Sequence, residues 1–107
     1  MPYQKLVTFY TRQERRMLHA QGIWVDRDGN QIPVRNMNEY RLNKLVHTLA
    51  NWARKDGDCY RFLSTHPIFV HVLIRIRELR LGLWNPDVSL FEGAYRNSSQ
   101  ENRIWQR

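Results

Sequence analysis

Four histidines and one cysteine raise the question of a metal or a nucleophile before any other. Cys59, His66 and His71 fall within thirteen residues, yet no C-x-x-C or H-x-x-x-H spacing occurs. Tetrahedral metal sites in short segments use those spacings because they turn two donors toward one point. His66 and His71, five apart, would face different directions on a helix. Nucleophilic catalysis needs Cys59 or a serine beside a base and an orienting group, and no G-x-S-x-G, glycine-rich phosphate loop or H-E-x-x-H is present. Asp26 and Asp28 are paired carboxylates, but in a turn that uses aspartate for its own backbone hydrogen bonds. These residues predict no catalytic site, no metal and no cofactor.

Cations are the stronger constellation. Seventeen Lys and Arg stand against ten Asp and Glu, a formal net charge of +7 on 107 residues, and fourteen of the seventeen are arginine. Arginine presents a planar fork matched to phosphate or carboxylate, where lysine presents a point charge. The bias points to an anionic partner, nucleic acid first and an acidic host protein second; the plainer alternative is a solvated surface that keeps the chain in solution. Arg12, Arg15 and Arg16 follow one helix cap, Arg41, Lys44 and Lys55 share one helical face, and Arg75, Arg77 and Arg80 cluster near the end of a later helix. Arg41, Lys44 and Lys55 are the leading phosphate contacts, with Arg12, Arg15 and Arg16 next. The spacing matches neither a helix-turn-helix nor an RNA-recognition signature.

The elements that must carry these residues read as mainly helical α+β. Thr11-x-x-Glu14 has capping-box spacing and opens a short helix that Gly22 stops. Ile23-Trp24-Val25 and Gln31-Ile32-Pro33-Val34 flank Asp28-Gly29, a β-hairpin signature, and Pro33 confines its strand to an edge. Asn36 or Asn38 caps a helix over about 39–54, with Leu42, Leu45, Val46, Leu49, Ala50, Trp52 and Ala53 on one apolar arc and the cations opposite. A single turn is expected over 59–63. From 68 to 81 the residues alternate as a strand would, but Thr65 as cap, Pro67 in the first turn and Gly82 as stop favour a helix. Its mostly apolar circumference makes it either central or a self-association face, which would give a homo-oligomer.

The expected division is one compact domain over 1–83 and an irregular tail over 84–107. That tail carries Trp84, Phe91, Tyr95 and Trp105, either packed on the domain or holding a partner protein, in which case the chain is a host-takeover or anti-defence inhibitor that binds and blocks a host protein. No stretch approaches a membrane span, the first residues lack a signal-peptide core, and a lone cysteine suits the cytoplasm.

Trp24-x-x-Arg27-Asp28-Gly29-x-x-Ile32-Pro33-Val34-x-x-Met37, then Leu42-x-x-x-Val46-x-x-Leu49 and Glu78-Leu79-Arg80 before Gly82-Leu83, resembles a pattern in small tailed-phage and prophage accessory proteins. It covers about residues 24–83 and departs where Arg41-Leu42 replaces a His-Leu pair. The resemblance implies a hairpin followed by two helices, a phage accessory origin, and binding to host macromolecules in a host-cell cytoplasm; it supplies no active site.

Overall fold

The computed structural model of the chain describes residues 10–105, with side chains described through residue 98. Leu6, Val7 and Phe9, an apolar run ahead of Thr11 that could form a short strand by its composition, lie outside the described residues. The architecture is mainly helical α+β: α1 (Arg12–Ala20), β1 (Ile23–Val25), β2 (Gln31–Pro33), α2 (Glu39–Lys55), α3 (Cys59–Thr65), α4 (Phe69–Glu78) and α5 (Pro86–Trp105).

The N-terminal half follows its local signals. Thr11 Oγ1 accepts from the Glu14 N–H at 3.1 Å, and the Glu14 carboxylate accepts from the Thr11 N–H at 2.8 Å, closing both halves of the capping box. Gly22, at φ +83°, ends α1 in a left-handed conformation, and an added Cβ would meet His71 Nδ1 at 2.8 Å. β1 and β2 pair antiparallel with Trp24 opposite Ile32. Their loop is tied by Asp26, whose Oδ1 accepts from the Asp28 and Asn30 N–H groups, and Gly29 supplies the φ of +85° that lets the ribbon close. Of the two candidate caps for α2, Asn38 is the one used: its Oδ1 accepts from the Arg41 N–H at 2.9 Å.

The C-terminal half departs from expectation at four places. Segment 59–65 is a full short helix, because Asp58 caps it by accepting from the Arg61 N–H. Thr65 therefore closes α3 and caps nothing; its hydroxyl donates back to the Arg61 carbonyl at 2.7 Å. The 68–81 segment is helical over Phe69–Glu78, and Gly82 is not its stop. Arg80 is, at φ 56°, with Leu81 N–H bonded to the Ile76 carbonyl and Arg80 N–H to the Arg77 carbonyl in a Schellman arrangement. Finally, the segment expected as an irregular tail is helical from residue 86. Asn85 caps it by accepting from the Asp87 N–H, and Pro86 stands in the first helical position, where its missing N–H costs nothing.

One core joins these elements. Leu42, Val46 and Leu49 of α2, Leu63 of α3, Phe69, Val72 and Ile76 of α4, and Val88, Phe91 and Ala94 of α5 are all buried. α4 buries Phe69, Val72, Leu73 and Ile76 against the core and leaves Val70 and Ile74 exposed on its other side, so it is an amphipathic outer helix and not a central one. The boundary at residue 83 moves accordingly, since the compact unit includes α5 at least to Ala94. Among the described residues no helix is long and apolar enough to cross a membrane.

Candidate nucleic-acid interface

α1, the hairpin and α2 enclose a cleft of about 780 Å³. Its lining gathers Arg15 from α1, Arg27 from the hairpin loop, and Arg41 and Lys44 from α2, together with His19, Trp24, Tyr40 and Trp52. Among the described residues, the only carboxylate in that lining is Asp26, whose oxygens already accept from Asp28 and Asn30. Burial alone would raise the Asp26 carboxyl, but those bonds and the nearby Arg41 charge hold it below its ordinary value. It stays anionic and committed to its turn. Among the described residues, no carboxylate lies within ion-pair distance of Arg15, Arg27, Arg41 or Lys44. Lys44 Nζ lies over the Tyr40 ring, 4.6 Å from its centroid.

Behind the cleft runs a row of rings. His19 stacks on Trp24 with centroids 5.0 Å apart and planes 13° from parallel, and Trp24 sits 6.2 Å from Trp52. On its far side His19 meets His66 at 5.4 Å, and His66 meets Phe62 at 6.1 Å. Both imidazoles are kept neutral. Burial, then the positive neighbours Arg15 and Arg16, lowers His19. Burial, then His19 and Arg16, brings His66 down to about 4. A neutral ring can stack at close range beside arginines, where an imidazolium would be repelled.

The expected site residues divide. Arg15, Arg41 and Lys44 meet in the cleft. Arg12 and Arg16 line a shallower neighbouring surface with Met17, Thr65 and Pro67. Lys55, at the last position of α2, does not reach the cleft, although the helical wheel places it on the face of Arg41. Nor does Asn51, whose amide meets His47 at 3.3 Å instead.

Of the later arginines, Arg75 and Arg77 are engaged by the fold, while Arg80 is exposed with no ion pair among the described residues. Arg77 makes a fork to Glu92 at 3.1 and 2.7 Å. Arg75 donates to the Met37 carbonyl at 3.0 Å and pairs with Glu78 at 3.1 Å. Arg54 pairs with Asp87 at 2.8 Å, and His47 binds the same carboxylate at 2.9 Å.

Of the four aromatic partner anchors, Phe91 is wholly buried and stacked on Phe69 at 5.7 Å, so it cannot contact a partner. Tyr95 is partly exposed beneath Arg77, whose guanidinium sits 4.8 Å from the ring centroid. Trp84 is 86% exposed. The Trp105 side chain lies outside the described residues.

Arg27, His19 and Trp52 were the residues that spacing alone did not assign. Arg27 lies in the hairpin loop, away from any helical pattern. Trp52 shares the apolar arc of α2 by the wheel, yet it is 45% exposed, because that edge of the helix faces the cleft.

No protein-family model, curated protein or solved structure matches the chain. The cleft therefore stands on its own geometry. Among the described residues, no group of three or more His, Cys, Asp or Glu is placed to hold a metal ion.

Proposed function

We propose that this chain is a non-enzymatic binding protein that holds the phosphate backbone of a nucleic acid through Arg15, Arg27, Arg41 and Lys44. One observation carries the reading. These four cations converge from three elements and have no ion-pair partner among the described residues, whereas Arg54, Arg75 and Arg77 are each neutralised. Guanidinium groups left unpaired around one concavity give the electrostatic footprint expected of a polyanion binder. A phage accessory role acting on host nucleic acid, or on a complex that bears it, is the biological setting that accords with the sequence resemblance.

The test is a salt titration of binding to labelled DNA and RNA by fluorescence polarisation. Four neutralised phosphates give a slope of log K against log salt of roughly −3, a loss of about 50-fold between ~50 and ~200 mM. Arg41→Gln should reduce that slope by about 0.7, while Arg61→Gln, outside the cleft, should leave it unchanged. A flat salt response, or equal effects of the two variants, overturns the proposal.

A second reading, capture of a host protein, is favoured by the adjacent exposed side chains of Leu83 and Trp84, at 61% and 86%. Tryptophan is enriched at interface hot spots. In that case Trp84→Ala abolishes partner capture in a nuclease-treated lysate and Arg41→Gln does not.

A further inference from the structure

We infer that the nucleic acid taken by this cleft is single-stranded, and that Trp52 is the platform on which a base stacks. The inference rests on the nucleic-acid reading above and adds the strand form and the residue that selects it. Phosphate contact requires cations only. This cleft also presents Trp24, Tyr40 and Trp52 beside them. A duplex hides the faces of its bases, so only an unpaired strand offers a π-face to such rings.

The placement of the rings supports a stacking role. Trp24 is braced by His19 at 5.0 Å and 13°, so one of its faces is already occupied. Trp52 leans on Trp24 at 39° and remains 45% exposed. One indole is thus held in place by the fold while the next is open toward the cations. Tryptophan in that position brings a large flat surface with few rotatable bonds to immobilise, which keeps the entropic cost of stacking low.

Duplex recognition by α2 is disfavoured by the walls of the cleft. A recognition helix must stand proud of its domain to enter a major groove about 12 Å wide. Arg41 and Lys44 instead line a concavity bounded by α1 on one side and the hairpin on the other. A flexible single strand can thread such a channel.

The experiment compares fluorescein-labelled oligo(dT) with a duplex of equal length by polarisation, using the full chain. The expected result is affinity for oligo(dT) at least about tenfold above that for the duplex, the scale of one stacked base. Trp52→Ala should lose about tenfold on oligo(dT) and change duplex binding little. Trp52→Phe should restore most of the affinity while removing much of the quenching of tryptophan emission that oligo(dT) produces. Thermal melts of both variants confirm that they fold. Equal affinity for duplex and oligo(dT), or an unchanged oligo(dT) affinity in Trp52→Ala, overturns the inference and leaves phosphate binding standing. Failure of every probe to bind removes the nucleic-acid reading itself, and the inference with it.

Discussion

Phe91→Ala tests the packing on which the whole arrangement depends. Phe91 is fully buried, and its ring stacks on Phe69 with centroids 5.7 Å apart and planes at 13°. Truncating a buried phenylalanine costs about 3–5 kcal/mol, from lost transfer energy and from the cavity left behind. The stacked pair adds about 1 kcal/mol beyond buried area. Domains of this size are stable by about 5–15 kcal/mol, so the variant should forfeit roughly a quarter or more of the total. The corresponding fall in melting temperature is roughly 10–30 °C. Removing residues 84–107 altogether should unfold the chain. It deletes Val88, Phe91 and Ala94 from the core and strips Arg77 and Arg54 of Glu92 and Asp87. Urea and thermal melts followed by circular dichroism read both results. A melting temperature within about 4 °C of the parent for Phe91→Ala, or a cooperative transition in the truncated chain, would refute the placement of α5.

Two further outcomes follow from the structure. His66, held at about 4 against an ordinary value of 6.5, binds its proton more weakly when folded than when unfolded. Its contribution is therefore complete above pH 6.5 and is lost as the pH falls toward about 4. The shift corresponds to at most about 3 kcal/mol, reduced to roughly 1–2 because part of the ring meets water. Urea midpoints should decline across that window in the parent and decline less in His66→Gln; identical profiles would refute the assignment. Arg80, at φ 56° where the Schellman turn favours glycine, should accept Arg80→Gly with a gain of about 1 kcal/mol. A lower urea midpoint in that variant would show the conformation to be unstrained.

Much of the fold was legible because its signals are local. The Thr11–Glu14 box, the Asp28-Gly29 turn and the Asn38 cap each act within a few residues, so sequence reading finds them without tertiary knowledge. The same logic was available for Asn85-Pro86, an N-cap followed by proline in the first turn, and for Val88, Phe91 and Ala94 at helical spacing. The polar run 97–102 masked that helix by suggesting a loop. Arg80 could not be read as a helix stop, since nothing local marks an arginine for positive φ and Gly82 stood two residues away. The cleft was less legible still. Whether an arginine is available depends on distant partners: Arg77 finds Glu92 fifteen positions on, and Arg54 finds Asp87 across the core. The helical wheel ranked Lys55 with Arg41 because it measures direction around an axis and ignores distance along it.

The uneven distribution of free cations has a cause in how the carboxylates are employed. Glu14, Asp26, Asp56 and Asp58 each accept backbone N–H groups in caps and turns. Glu78, Glu92 and Asp87 serve arginines on α4 and at the end of α2. Acids of the first kind are tethered to a turn and cannot swing toward a guanidinium without releasing the N–H groups they satisfy. Those of the second kind lie on the α4 and α5 side of the core. What lines the space between α1, the hairpin and α2 is mainly cationic, because the carboxylate found there among the described residues, Asp26, is tied to its own turn. Four cations without an ion pair line this aromatic-walled concavity, and on the proposal above they are what draws a polyanion to it; Arg12, Arg16, Arg35, Lys55, Arg61, Arg80 and Arg96, also without an ion pair among the described residues, lie outside it.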